Sequence, residues 1–528
     1  MDIDYGKAVE MAEEENAHER QGRDGPTFGN KTRLLILVLS IVCLVGLFSN
    51  AIAMNFTVIC MDDVVRQQWD NSSSEPHWLN SPAKISLLFS ANAVGSLLGT
   101  MPYLPAIEYI GVRKTMSTYG FISGISTILM PPAVAWGYAP TLMVRILQGT
   151  GTSIIFSLMG AISEQWSILA QTGTFISVLS SSIQISNIVT MPLAGFMCES
   201  SLTWRGVFYS QGAVTILAYI IFYIYYRDCP SKHRHVSEKE LGRIKEGKME
   251  KIKGYVPFRA IFSNKCIMAI CLSVVGGSFG KNEIYQIFDF VHLGFFIMIY
   301  YGPTYLNKVL GLDVKATGFA TSLPYVIAIG VKFVAGPLSD YATCLSEKSR
   351  LIMFASGSQG MFALSFAIMA LTDSAVVAQI VFTAGIVFTG FNVVGTVKCT
   401  QLVARQYAYV VMLAVSVLNC AANLFLPTLV ATICPTNAPE EWSRLFIAIS
   451  VIVVFVNIPF VILASAESAD FTKPEFRAQQ KLSRLESGKR SIADMVLRKK
   501  SKSEPAKIHD MESNFEKPKI FDDDLNKY

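Results

Sequence analysis

Apolar stretches dominate this chain, and twelve of them are long enough to cross a bilayer, which takes roughly 20 residues of helix. They fall at 33–60, 83–105, 115–136, 139–163, 173–198 and 206–226. A second set lies at 266–306, 315–338, 350–371, 375–398, 407–433 and 443–465, completing spans 1 to 12. Each run is read as a helix, because lipid offers no water to an unpaired backbone group. A polar stretch, 227–265, separates the sixth run from the seventh and carries Lys232, Arg234, Lys239, Arg243, Lys245, Lys248, Lys251 and Lys253. The pattern predicts an all-α membrane protein of twelve transmembrane helices in two six-helix halves, 33–226 and 266–465. The remaining parts are an N-terminal segment 1–32, the basic linker 227–265 and a tail 466–528 whose alternating charges leave little to bury. Two matched halves suit a transporter with its site near the midplane between them.

Charge sets the orientation. The basic linker, Arg113-Lys114 between spans 2 and 3, and the Lys/Arg-rich tail are all expected on the cytoplasmic side, which puts both termini there. The loop 62–82 then faces outward and carries Asn71-Ser-Ser73, a glycosylation sequon on a compatible side. That address fits a plasma-membrane or an endolysosomal or vesicular protein. The net charge of +5 is explained by bases flanking spans and implies no nucleic acid. The 10 cysteines lie mostly in apolar runs, where Cys is a small buried hydrophobe, so no disulfide scaffold is expected. No cofactor and no metal are expected. With no activated nucleophile, metal cluster or cofactor loop, the chain does not read as an enzyme.

Span 7 is anomalous. The run 266–306 is too long for one crossing, and Lys281, Glu283, Asp289 and His292 interrupt it. Removing 281–294 would join Gly280 to Phe295 and leave one ordinary span. The codons for Gly280-Lys281 and Leu293-Gly294 can spell the two ends of an intron, so a retained intron in the gene model is one reading. A genuine interfacial loop is the other.

Arg145 is the candidate for chemistry. A guanidinium stays charged at any cellular pH, and at a bilayer centre it costs roughly 2.5–3.5 kcal/mol on insertion scales. Such a group normally faces a polar cavity or a partner. Counted from Pro140, it stands about 9 Å down its helix, with Gln148 and Thr152 on the same face. A guanidinium fork beside an amide and a hydroxyl can hold a carboxylate or phosphate. Asn50, Asn55, Asn92, Gln184, Asn187, Asn392, Asn419 and Asn423 are further polar residues inside spans, some expected in the cavity and most expected between helices. Tyr300 and Tyr301 precede Gly302-Pro303, where a helix can break. Lys332 and Lys398 are read as snorkelling to the cytoplasmic face. Gly95 and Gly99 are read as packing residues that let helices approach.

Several segments resemble a known family. Glu108-Tyr-Ile-Gly-Val-Arg113-Lys114 resembles the loop between spans 2 and 3 of the major facilitator superfamily, and Gly336-Pro-Leu-Ser-Asp340 resembles its repeat between spans 8 and 9. Arg145-Ile-Leu-Gln-Gly149, Met191-Pro-Leu-Ala-Gly195, Trp204-Arg-Gly-Val-Phe-Tyr209, Pro303-Thr-Tyr-Leu306, Gly390-Phe-Asn392 and Glu440-Glu-Trp442 resemble segments of its anion–cation symporter branch. That branch holds sialin-type exporters, vesicular glutamate carriers and the sodium/phosphate cotransporters. The resemblance implies the major facilitator fold, alternating access and small anions as substrates. It also implies an acid seven residues after Arg145, where this chain has Thr152. The branch's span 1 arginine falls at Asn50 or Ala51, and its span 2 histidine at Phe89. These departures speak against a glutamate carrier and against proton coupling by the family's route.

The expected function is therefore secondary active transport of a small organic or inorganic anion. Arg145, Gln148, Thr152, Asn50 and Asn392 are the candidate substrate residues, and the coupling ion, proton or sodium, is left open. The alternatives are an uncoupled anion facilitator and a non-transporting membrane receptor or scaffold.

Overall fold

The computed structural model describes residues 31–65, 77–168, 171–246, 258–275, 291–341, 346–392, 396, 398–473 and 476. The chain forms two compact units, 1–469 and 470–528. The first holds every span. Of the second, a short turn at Asp470–Thr472 and a few neighbouring residues are described. The rest of the proposed tail, the segment 1–30 and Asn71 lie outside the described residues.

Among the described residues, ten helices are long and apolar enough to cross a membrane. The two other predicted spans are 3 and 7. Span 3 continues from span 2 in one helical stretch, Pro82–Ile128, that breaks at Gly111 and is followed by Met130–Trp136. The break needs glycine, because Gly111 has φ of +82°. A Cβ there would also stand 2.5 Å from Asp228 Oδ2. Asp228 Oδ1 accepts a hydrogen bond from the Arg113 amide at 2.8 Å, and the Arg113 guanidinium stacks 4.6 Å from the Tyr223 ring. The loop resemblance thus rests on a real junction between spans 2, 3 and 6. The helical backbone is described at Glu108 and Asp340, but their side chains are not.

Span 6 shows why the bundle suits lipid. On Thr203–Tyr225, Val214, Leu217, Ile221 and Ile224 are exposed, while Gln211, Thr215, Tyr219 and Phe222 are buried. The lipid-facing side is apolar, and the polar Gln211 and Thr215 turn inward with Tyr219 and Phe222, at helical spacing. Within the first half, span 2 packs on span 4 and span 1 on spans 5 and 6. Within the second, span 9 packs on spans 10 and 12 and span 8 on span 10. Among the described residues the halves meet mainly along spans 5 and 8 and spans 2 and 11, with smaller contacts of span 1 with span 7 and span 4 with span 11. Spans 5–8 and 2–11 are equivalent pairs when each half is counted one to six, as two repeats facing each other require.

The basic linker is partly folded. Glu240, on the helix Glu238–Lys245, is buried and accepts the Thr32 amide at 3.2 Å and the Arg33 amide at 2.9 Å. Its carboxylate caps span 1, where the helix dipole favours negative charge. His233 is buried between Trp166 and Tyr225. Burial first, and His235 second, push its pKa down to about 4, so it stays neutral at cellular pH.

The opposite end of the bundle carries a disulfide, Cys60–Cys198, tying the end of span 1 to the end of span 5. The sequence predicts that most cysteines are small apolar residues with no disulfide scaffold; six described free cysteines are buried, and this pair is the exception. Beside it, Asp63 accepts from Trp204 Nε1 at 2.9 Å and pairs with Arg205 Nη1 at 2.8 Å, which gives the Trp204-Arg205 segment its local role.

Span 7 appears as two helices, Lys265–Val275 and Val291–Thr304, of 11 and 14 residues. Both pack on spans 11 and 12, and their combined length is that of one ordinary span. Residues 276–290 between them lie outside the described residues. Gly294 sits where a Cβ would be 2.9 Å from both the Phe362 and Phe366 rings. Removing 281–294 would put Gly280 in that register, supplying the glycine the packing needs. A chain lacking 281–294 is therefore expected to fold and purify at least as well as the full chain, and mature transcripts are expected to lack those codons. Retention of the segment in every transcript, together with a deletion variant that aggregates, would establish it as an integral part of span 7.

Candidate functional site

Arg145 stands seven residues into the helix Tyr138–Thr152, about 10 Å along its axis. It is only 1% exposed. Nη1 donates to Ala51 O at 3.0 Å and to Gln148 Oε1 at 2.6 Å. Nε donates to Leu88 O and Nη2 to Asn55 Oδ1, each at 3.4 Å. All four acceptors are neutral, and no described carboxylate pairs with the guanidinium. A buried charge met only by dipoles is costly until an opposite charge arrives. Of the five N–H donors, one on Nη2 is uncommitted, and the two bonds at 3.4 Å are long enough to give way.

The guanidinium lines a cavity of about 50 Å³ between the two halves. The first half contributes Asn55, Asn92, Ser96, Arg145 and Thr152, with Phe48, Phe89 and Phe156 around them. The second half contributes Phe296 and Tyr300 from span 7 and Ser416, Asn419, Cys420 and Asn423 from span 11. Arg145 is the one charged side chain among the described residues lining it. The amide oxygens of Asn92, Asn419 and Asn423 are buried without a protein hydrogen-bond partner. The space holds a water or two.

The predicted residues divide. Arg145 and Thr152 line the cavity. Thr152 Oγ1 bonds to Gly149 O at 2.8 Å and to Ser96 Oγ. Gln148 is fully buried behind Arg145 and braces it, donating through Nε2 to Thr127 Oγ1 at 2.9 Å. Asn50 lies deeper in the same half, donating to Ser123 Oγ at 3.1 Å and accepting from Thr215 Oγ1 at 3.3 Å. Neither Gln148 nor Asn50 lines the cavity, because their faces of spans 4 and 1 turn toward spans 3 and 6. Asn392 ends the helix Ala375–Asn392 and does not line the cavity either. The wall from span 11 carried a readable signal. Ser416, Asn419 and Asn423 recur at i, i+3 and i+7, a polar stripe on an otherwise apolar helix. Ser96 and Cys420 had no such signal.

Among the described residues, no group of three or more His, Cys, Asp and Glu side chains could hold a metal.

A family model for the Major Facilitator Superfamily matches residues 34–427. Sodium-dependent phosphate transport protein 1 of Homo sapiens is 25% identical over 430 residues, covering 76% of this chain and 88% of that protein. Vesicular glutamate transporter 2 of Homo sapiens is 20% identical over 504 residues, covering 90% and 82%. Both belong to the branch that the sequence motifs resemble. Among solved structures, a crystal structure of a D-xylose–proton symporter superposes with a TM-score of 0.60 at 15% identity, covering 82% of this chain and 98% of that one. At that identity the likeness speaks for the fold alone.

Proposed function

The chain belongs to the major facilitator superfamily, and from that premise we propose that it is a secondary transporter of small anions working by alternating access, with Arg145 as the anion anchor. The observation that carries this reading is the fully buried Arg145 at the interface of the halves, met only by neutral acceptors. A carboxylate or phosphate oxygen in the cavity supplies the missing charge and takes the free Nη2 donor and the weak bond now made to Asn55. The asparagines of spans 2 and 11 close around the substrate from both halves, so its release requires the halves to rock apart. Relatives named for phosphate and glutamate transport support an anionic substrate.

The disulfide and the charge bias agree on orientation. Disulfides persist in oxidising compartments, and bases gather on the cytoplasmic side. Both support a placement with Cys60–Cys198 facing outward or into a lumen and the Arg113 end facing the cytoplasm.

A second reading is an uncoupled facilitator. It is favoured by Thr152, which stands where the family places an acid and which cannot titrate. Uptake of labelled phosphate, glutamate, sialate, glucuronate and urate into proteoliposomes tests both readings, each anion with and without a pH gradient, a sodium gradient and a membrane potential. Saturable accumulation of at least one anion is expected, with a pH gradient alone adding nothing. Flux that stops at equilibration identifies the facilitator, and no flux of any anion overturns transport.

A further inference from the structure

Lys332 does not snorkel. It lies on the helix Val314–Tyr341, eighteen residues in, or about 27 Å along the axis. Arg145 is about 10 Å into a helix that runs the same way through the bundle, so Lys332 stands nearer the end that the basic loops assign to the cytoplasm. Its stem passes Gly390 of span 10, where an added Cβ would be 4.0 Å from Lys332 Cγ. Its ammonium turns sideways into the other half, donating to Ser180 Oγ at 2.9 Å and Gln184 Oε1 at 3.3 Å on span 5. Gln184 adjoins Ile183, which lines the Arg145 cavity. No carboxylate pairs with Lys332 among the described residues, and one of its three N–H donors is uncommitted.

Lys332 is half-buried where Arg145 is fully buried, but it shares two features with Arg145: it lies where the two halves meet, and it is held by neutral acceptors only. We infer that Lys332 is a second anion station on the translocation path, which receives the carboxylate or phosphate group after it leaves Arg145 and before it enters the cytoplasm. This rests on the transport reading above. An anion oxygen at the ammonium replaces Ser180 and Gln184 as acceptor. That releases span 8 from span 5 at the cytoplasmic end, so arrival of the substrate and opening of its exit are one event. The size of the charge-assisted bond sets the expected effect at about tenfold or more in affinity.

The test is one-sided affinity. Proteoliposomes of wild type, Lys332→Arg, Lys332→Met and Lys332→Gln are loaded with the anion that wild type carries best. KM is then measured with labelled anion presented at the cytoplasmic face or at the opposite face. Lys332→Gln can still bond to Ser180, so it removes the charge and keeps the tie between the halves. Lys332→Met and Lys332→Gln are expected to raise KM at the cytoplasmic face about tenfold and leave the other face within about twofold, with Lys332→Arg close to wild type. A Lys332→Gln protein with unchanged cytoplasmic-face KM, or with both faces weakened alike, overturns the station and leaves Lys332 a brace. Wild-type protein without flux overturns the transport reading and the station with it, whereas wild-type flux with an indifferent Lys332→Gln overturns the station alone.

Discussion

Replacing Arg145 with alanine is expected to lower anion flux by at least about 100-fold while the protein still purifies as a folded bundle. The estimate follows from removing one partner of a buried charge-assisted pair, worth roughly 3–5 kcal/mol. Folding survives because the change has two opposing parts. Ala51 O, Leu88 O and Gln148 Oε1 lose a donor, at about 1–3 kcal/mol for each left dry. Against that, a fully buried charge with no counter-ion is no longer held in the bundle. Arg145→Lys separates charge from shape. It keeps a cation but loses the planar fork that reaches Ala51 and Gln148 while presenting a free edge to the cavity. It should therefore retain residual flux with a raised KM. Arg145→Gln that carries the anion at the wild-type rate would show that Arg145 only braces spans 1, 2 and 4. Uptake measured beside size-exclusion profiles and melting curves of the same preparations distinguishes these outcomes.

The sequence made Arg145 visible because a charge in an apolar run has few innocent explanations, and it made the ten described helices long enough to cross a membrane visible because lipid enforces one length and one backbone. What it could not supply was depth and neighbours. Gln148 and Thr152 share a helical face with Arg145, yet Thr152 meets the cavity and Gln148 meets Thr127 of span 3. Helical periodicity fixes an angle around the axis, and the cavity occupies only part of that angle. Asn50 failed as a cavity residue for the same reason, because Ser123 and Thr215 of spans 3 and 6 claim its amide. The Cys60–Cys198 bond joins residues 138 apart, which only the packing of spans 1 and 5 brings together. Asp228 was unremarked because its role depends on Gly111, whose positive φ lets the loop close on it. Lys332 was misread because a long stem at the end of a span usually points to the headgroups, and only the neighbouring half reveals that its ammonium is held inside.

Gly149→Ala is expected to destroy the fold and the flux together, in contrast to the Arg145 variants. Spans 2 and 4 touch backbone to backbone. A Cβ at Gly149 would stand 2.0 Å from Asn92 O, and one at Gly95 would stand 1.9 Å from Ile146 O. Those atoms are carbonyls and cannot rotate away as a side-chain tip would. Either methyl group forces the two helices apart, which also breaks the bond from Ser96 Oγ to Gly149 O at 3.0 Å. The expected loss is at least the 1–3 kcal/mol typical of overpacking. It is larger here because small residues replace hydrophobic burial as the means of helix association in lipid. Gly95→Ala and Gly149→Ala open the same seam, so the double variant should cost less than the sum of the singles. Gly160, on the helix Ile155–Trp166, is the control, since a Cβ there meets nothing within 4 Å. Gly160→Ala should be neutral or up to about 1 kcal/mol stabilising through helix propensity. Melting of detergent-solubilised variants, read as the loss of the monodisperse peak with temperature, gives the comparison. If Gly149→Ala melts with wild type and Gly160→Ala, spans 2 and 4 do not meet backbone to backbone, and Leu88 O can no longer be among the groups that hold Arg145 at the cavity.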